Sequence, residues 1–414
     1  MDSEVLKSQL EASQFEVEYE TETRTPVVVI NTCGFIDLAK EESINTILEY
    51  AEEKKNGRLE KLYVTGCLSQ RYKDDLEVEI PEVDAFFGTM ELPSLLKTMG
   101  ATYKDELIGE RNIVTPAHYA YLKISEGCNR TCAFCAIPLM LGQHVSRPME
   151  SLVKEAEHIA RRGVKELILI AQELTYYGLD LYQRRALPEL LDKLCEVNGI
   201  EWIRLHYAYP HKFPLEVIEV MKRQPKICNY LDMPLQHISD PVLNRMRRQI
   251  TSAETIELVR KIREIHPDIR LRTTFLVGFP GETQADHAAL CKFVEDTKFD
   301  RVGVFEYSHE EGTRGYVLED DVPAEVKKER AEEIMAVQQS ISLDHNESLV
   351  GKTIRVLIDR KEGKQMVARS EFDSPEVDNE IWIETTATSA QPGEFINVII
   401  TGASDYDLTA RMVN

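Results

Sequence analysis

The sequence is short of three things: long apolar runs, positive charge and cysteine. No window comes near the ~18 uninterrupted apolar residues of a membrane-spanning helix. The opening segment "MDSEVLKSQLEASQ" lacks the basic-then-apolar pattern of a secretion signal, so the expected location is cytoplasmic. Lys and Arg number 49 against 71 Asp and Glu, a formal charge of −22. That balance excludes a protein-wide nucleic-acid footprint, which needs a basic face. It suits solubility, and it would attract a strongly basic partner. Eight cysteines in 414 residues are too few for a secreted disulfide scaffold. Three of them cluster, and clustered thiols in a reducing compartment point to metal or redox chemistry.

What is there is enough for about three domains, with 43% hydrophobic residues to build their cores. Residues 1–115 read as a small α/β unit. "PVVVIN" and "KLYVTG" are buried strands, and Ile44, Ile47, Leu48 and Ala51 between them fall at helical spacing. Residues 116–347 alternate strand and helix. The strand candidates are "AYLKIS", "ELILIA", "WIRLHY", "YLDMPL", "LRTTFLVG" and "RVGVFEY", and the helices between them are amphipathic, such as "AETIELVRKIREI". Such alternation predicts a parallel sheet curved into a partial or full barrel, with chemistry at the carboxyl ends of its strands. A long charged helix from about Pro323 to Leu349 leads into residues 348–414. There "TIRVLIDR", "QMVARS", "IWIETT" and "INVIIT" predict a small all-β barrel.

The first strand of the alternating region runs straight into "EGCNRTCAFCAIP". Cys128, Cys132 and Cys135 are spaced CxxxCxxC. Soft thiolates select zinc, copper or iron–sulfur clusters. Three thiolates on one loop hold three irons of a 4Fe–4S cubane and leave the fourth open, as a catalytic metal requires. The competing reading is a zinc knuckle with a distant fourth ligand such as His144. Cys33 and Cys67 each end a strand of the first α/β unit, in "NTCGF" and "TGCLS", so their turns should lie side by side at its carboxyl edge, where ligands bind. Cys195, Cys228 and Cys291 read as small buried hydrophobes.

The CxxxCxxC loop, with aromatic Phe134 before its last cysteine, resembles the radical S-adenosylmethionine (SAM) superfamily. The resemblance implies a partial (β/α)6 barrel. It also implies an open iron that chelates the amino and carboxylate groups of SAM, and a one-electron cleavage that yields a 5′-deoxyadenosyl radical. On the same footing, Gln172 and Glu173 of "LIAQELTYYG" fall where the family meets the amino end of SAM, and Gly278 and Gly281 of "LVGFPGET" where it passes beside adenine.

"NTCGFI" and "VTGCLSQRY" narrow the resemblance to the methylthiotransferases. These carry an N-terminal α/β domain with a second 4Fe–4S cluster, which here implies Cys33 and Cys67 as ligands. The family's first ligand belongs to a "GCxKNxxDSE" segment, and this sequence opens at "MDSEVL" within its last residues. The expectation is a start codon assigned too late, the other reading being an impaired second cluster. The C-terminal barrel resembles a TRAM domain. "DMPLQHISDPVLNRMRR", "YSHEEGT" and "ARSEFDSPEVDNEIWI" resemble the branch that adds a methylthio group to the β-carbon of an aspartate in small-subunit ribosomal protein twelve. That branch implies two SAM reactions, a sulfur donor, an electron donor and a basic protein substrate, alone or in the assembled small subunit. Many relatives carry a basic residue where this chain has Leu141, whereas Arg147 is retained.

Charge agrees with a protein substrate. Residues 350–414 hold 7 Lys and Arg against 11 Asp and Glu, which repels phosphates and draws a basic protein. Asp373, Glu376 and Asp378 in "DSPEVD" are therefore expected to contact substrate. Arg245, Arg247 and Arg248 are candidates for ribosomal RNA, or a solvated helix face. The competing functions are a tRNA-adenosine methylthiotransferase and a non-catalytic iron–sulfur protein on the ribosome.

Overall fold

The computed structural model describes residues 2–19, 25–104, 116–384 and 390–413. The chain forms two compact units. The first gathers Met1–Val114, Glu126–Val145 and Ser308–Val317; the second gathers Thr115–Ser125, Ser146–Tyr307 and Leu318–Asn414. The first boundary, at 114/115, lies one residue from the expected break at 115/116, and no boundary falls at 347/348. The cysteine loop falls with the N-terminal α/β elements, and the C-terminal barrel falls with the long parallel sheet.

The first unit contains α1 (Asp2–Glu11), β1 (Val27–Thr32), α2 (Asp37–Lys55), β2 (Lys61–Gly66), α3 (Cys67–Glu79), β3 (Ala85–Phe87), α4 (Leu92–Thr98) and the short α5 (Ile137–Leu141). Its three strands pair in parallel in the order β1-β2-β3. Their β-branched and aromatic side chains build a core of Ile30, Leu62, Val64 and Phe86, closed by Ile47 and Leu68 from the flanking helices. Thr32 pairs with Gly66, so both strands stop at the same level and each hands over directly to a cysteine.

In the second unit, β4 (Tyr119–Lys123), β5 (Glu166–Ile170), β6 (Trp202–Leu205), β7 (Ile227–Asp232), β8 (Arg270–Val277) and β9 (Arg301–Glu306) pair in sequence order, all parallel. The sheet is open, so the expected barrel is a partial one. Crossovers are made by α6 (Met149–Arg161), α7 (Leu187–Cys195), α8 (Glu216–Arg223), α9 (Asp240–Arg245), α10 (Ser252–Ile265) and α11 (Gln284–Thr297). The helices bury one face, as α6 does with Leu152, Ala156 and Ile159. Thr251 with Glu254 and Thr283 with Asp286 form capping boxes that fix where α10 and α11 begin. The long α12 (Ala324–Glu347) leads to β10 (Thr353–Glu362), β11 (Gln365–Ser370), β12 (Ile381–Glu384), β13 (Phe395–Ala403) and β14 (Leu408–Met412). These close into a barrel in the order β10-β11-β12-β14-β13. Among the described residues no helix is long and apolar enough to cross a membrane.

The C-terminal barrel is held to the parallel sheet by buried charge. Glu166, fully buried at the start of β5, receives Arg204 of β6 at 2.8 Å and Arg369 of β11 at 2.5 Å. Burial would raise the Glu166 pKa, but Arg369 and Arg204 outweigh it and hold the carboxyl below its ordinary range. Arg369 also pairs with Asp359 at 2.9 Å, and Arg204 donates to the carbonyl oxygen of Glu371 at 2.8 Å.

The loop after β11 completes this layer. Asp373 is buried and receives Arg301 at 2.5 Å and the Ser370 hydroxyl at 2.8 Å. The Asp378 carboxylate is 2% exposed, accepts from the Tyr230 hydroxyl at 2.7 Å and pairs with Arg272 at 3.3 Å. Glu376, whose backbone is left-handed at φ +69°, accepts from the Tyr119 hydroxyl at 2.9 Å. The Asp373 and Asp378 carboxylates are thus buried and paired within the unit, whereas Glu376 stays exposed. An unpaired arginine in that interior would cost more than the loop's ordering, so the loop turns inward.

His206, at the end of β6, sits beside the same layer. Its Nε2 lies 2.9 Å from the Ser374 hydroxyl. Burial, with the Arg204 and Arg272 cations, pushes its pKa from 6.5 down to about 3. A folded pKa below the unfolded one means stability is fully present above the unfolded value and is lost as pH falls through it. Stability should therefore drop between pH 6.5 and about 3. In a His206→Asn variant the pH dependence of the thermal midpoint over that window should flatten, with on the order of 4–5 kcal/mol less acid destabilisation. An unchanged slope in the variant would contradict this.

Candidate functional site

From the carboxyl end of β4 the chain enters the Glu126–Val145 loop. Gly127 takes a left-handed φ of +74°, and a Cβ there would meet the Gln143 carbonyl oxygen at 2.1 Å, so the turn into the first cysteine admits only glycine. The Cys128 N–H donates to the Gly142 carbonyl at 3.1 Å and the Cys135 N–H to the Cys132 carbonyl at 3.2 Å. The Asn129 side-chain oxygen accepts from the His144 N–H at 3.0 Å. These bonds fold the loop back on itself and present three cysteines from a single turn of chain. Cys128 is buried; Cys132, Phe134 and Cys135 are partly exposed. The Arg130 N–H points at the Cys128 sulfur at 3.4 Å, the kind of N–H to sulfur contact that stabilises a metal-bound thiolate. An all-sulfur donor set with such support fits an iron–sulfur cluster. His144 is buried in the loop closure.

Within the same unit, Cys33 and Cys67 stand at the matched ends of β1 and β2. Cys67 opens α3, and Gly66 before it has φ +105°. A Cβ on Gly66 would lie 2.4 Å from the Thr32 carbonyl oxygen, so the two strand ends meet only because this residue is glycine. The Cys33 N–H and carbonyl are both bonded to the Ser43 hydroxyl at 3.0 Å. Burial pushes the Cys67 thiol up to about 11, helped by the negative charges of Cys33, Asp2 and Glu126, while the Gly34 N–H opposes the rise. Such a thiol stays protonated at neutral pH, which does not fit a free nucleophile.

Sequence reasoning missed what fixes the Cys33 turn. Arg71 donates to the Gly34 carbonyl at 2.6 Å and to the Glu311 carbonyl at 2.6 Å. Glu310, 2% exposed, accepts from the Asp37 N–H at 3.0 Å, Lys40 at 2.8 Å and the Ser308 hydroxyl at 2.7 Å. Burial would lower the Lys40 pKa, but its bonds to Asp37 and Glu310 raise it. The Gly315 N–H donates to the Ala133 carbonyl at 2.6 Å, so the same 308–317 segment also touches the CxxxCxxC loop. Arg71 and Glu310 were visible in "VTGCLSQRY" and "YSHEEGT". Their link was not, because roughly 240 residues separate them.

The other expected cofactor contacts lie in the second unit. Glu173 is buried after β5 and caps a short turn, accepting from the Thr175 N–H at 2.8 Å and its hydroxyl at 2.6 Å. Gln172 beside it is partly exposed. Gly278 and Gly281 take φ of +73° and +78° in the turn after β8. A Cβ on Gly278 would strike Lys327 at 2.2 Å. The Gly278 N–H is bonded to Glu282, and the Gly281 N–H donates to Asp321 at 2.6 Å. The two glycines thus serve the turn, and their amides are already engaged. Arg245 donates to the Gly281 carbonyl at 2.6 Å and Arg248 is buried, so neither is a free helix-face cation.

Three family models match the chain: the radical SAM superfamily over residues 122–294, the TRAM domain over 350–413, and the uncharacterized protein family UPF0004 over 1–88. Curated proteins named ribosomal protein uS12 methylthiotransferase RimO are similar along almost the whole length. The Flavobacterium johnsoniae protein is 59% identical, covering 98% of this chain and 94% of its own. The Cytophaga hutchinsonii protein is 55% identical, covering 100% and 95%. The Bacteroides thetaiotaomicron protein is 49% identical, also covering 100% and 95%. Among solved structures, the radical SAM methyltransferase TsrM from Kitasatospora setae shares the fold with a TM-score of 0.54 at 17% identity, over 74% of this chain and 71% of its own.

The juxtaposition of Cys33 and Cys67 has a direct test. In cluster-free protein a short bifunctional thiol reagent should link the two, as read by peptide mass spectrometry, and Gly66→Ala should lower both the link yield and the thermal midpoint. An undiminished yield in the variant would mean that the close approach at Thr32 does not set the spacing.

Proposed function

Since the chain belongs to the RimO family of ribosomal protein uS12 methylthiotransferases, we propose that it places a methylthio group on the β-carbon of an aspartate in that basic ribosomal protein. The observation that carries this reading is the gathering of both cysteine sets, Cys33 with Cys67 and Cys128 with Cys132 and Cys135, in one compact unit. A β-carbon C–H is unactivated at neutral pH, so acid–base groups do not serve and no general base is assigned. When bound, a reduced iron–sulfur cluster with SAM supplies the one-electron chemistry that opens such a bond, and a second SAM supplies the methyl group.

The chain's own residues hold and orient. Cys128, Cys132 and Cys135 would hold a 4Fe–4S cluster with a place left on it for SAM, and Phe134 belongs to the same loop. Cys33 and Cys67 would supply two of the ligands of a second cluster, and Arg71 with Glu310 fixes the turn from which Cys33 projects. Gln172 and Glu173 would serve the amino end of SAM, and the turn at Gly278 and Gly281 would pass beside its adenine. Electrons and sulfur come from separate donors. The acidic C-terminal barrel disfavours phosphates and leaves RNA a poor substrate.

Anaerobic, cluster-loaded protein should release 5′-deoxyadenosine from SAM under reduction and add a methylthio group to the uS12 aspartate, both read by mass spectrometry. Cys132→Ala should abolish both products. Cys33→Ala should keep 5′-deoxyadenosine formation and lose methylthiolation. Absence of 5′-deoxyadenosine from the intact protein, or modification of a tRNA in place of the ribosomal protein, would overturn the proposal.

A further inference from the structure

We propose that His287, Cys291 and Glu333 form a binding site for one divalent cation of the zinc class, separate from the clustered cysteines. His287 and Cys291 are one turn apart on α11 and project from the same face; Glu333 comes from α12. Their ligand atoms all lie within 4.8 Å of one another. The Cys291 sulfur is 3.4 Å from His287 Nε2, and that nitrogen is 2.6 Å from a Glu333 carboxylate oxygen. A tetrahedral zinc ion sets S···N at about 3.5 Å and N···O at about 3.3 Å. The first spacing is in place. The second needs Glu333 to retreat by less than about 1 Å, and its side chain is half exposed and able to move.

A mixed sulfur, nitrogen and carboxylate set with one open position suits zinc or its cobalt surrogate, and is too soft for calcium or magnesium. The rear of the imidazole supports the same reading. His287 is 1% exposed, and its Nδ1 faces the fully buried Glu282 carboxylate at 3.9 Å. That nitrogen and Glu282 Oε1 are both buried and without a hydrogen-bond partner. A metal on Nε2 would fix the Nδ1–H tautomer and aim it at Glu282, the carboxylate–histidine–metal arrangement common behind zinc ligands. Arg330 at 3.5 Å and His237 at 3.6 Å also face Glu282. On binding, the Cys291 S–H bond breaks, the sulfur–metal bond forms and the proton leaves to solvent; nothing is oxidised or reduced. The ion would tie the last crossover helix of the sheet to α12.

The test uses the full-length, cluster-loaded protein, dialysed anaerobically against chelator-buffered zinc, with zinc read by mass spectrometry against iron. Cys291→Ser and Glu333→Gln keep every cluster cysteine, so adventitious zinc on those thiols is common to all samples. The intact protein should retain one zinc per chain more than Cys291→Ser. Glu333→Gln should weaken retention by at least about tenfold, with iron content and metal-free thermal midpoint unchanged. Cobalt in place of zinc should add a thiolate charge-transfer band that Cys291→Ser lacks. Equal zinc in all three proteins, or lower midpoints in the variants with no difference in zinc, would overturn the site.

Discussion

The second unit depends on a layer of buried charge at the starts of its parallel strands. Glu166 and Arg204 are fully buried, and Arg369 is 2% exposed. Breaking such a set by removing one member costs about 3–5 kcal/mol, because the orphaned charge stays behind. The members come from β5, β6 and β11, and Arg301–Asp373 and Arg272–Asp378 extend the layer along the sheet. Trp202 and Phe395 add an edge-to-face contact at 4.7 Å beside it. The C-terminal barrel is therefore part of this unit's core and not an appended module. With the amino ends of the strands occupied, the carboxyl ends are left for chemistry.

The first unit solves a different problem, which is to hold soft ligands in place without a scaffold of disulfides. Backbone does most of this work. Glycines at 66 and 127 permit approaches that any Cβ would block. Arg71 and Glu310 then pin the Cys33 turn, using the buried carboxylate to collect Lys40 and the Asp37 amide as well. The residues of three separate sequence motifs meet in one network.

Much of this was legible in the sequence. All six strands of the parallel sheet lie within or overlap the apolar runs expected to form them, and the long helix was placed to within two residues at each end. Where a run is continuously apolar, as in the "LILI" of β5, it reads as a strand covered on both faces does. Short elements were missed: β3 has three residues and β14 has "LTARM", too little pattern to register. The ion pairing of the acidic loop was not legible, for a physical reason. Its partners Arg301 and Arg272 lie 72 and 106 residues away in sequence, so a solvated acidic loop and a buried ion-paired one look alike. The cysteine loop was the clearest signal, because its ligands are local in sequence. Cys291 shows the opposite case: alone it reads as a small core residue, and only the fold brings Glu333 to it.

The claim that buried charge fuses the C-terminal barrel to the parallel sheet is tested most directly by native-state hydrogen exchange. Amides of β5–β8 and of β10–β12 should be protected by a common opening free energy in the intact protein. In Glu166→Ala the β10–β12 amides should exchange through a separate opening lower by about 3 kcal/mol or more. If the two sets of strands already open independently in the intact protein, with different free energies that Glu166→Ala leaves unchanged, the account is contradicted.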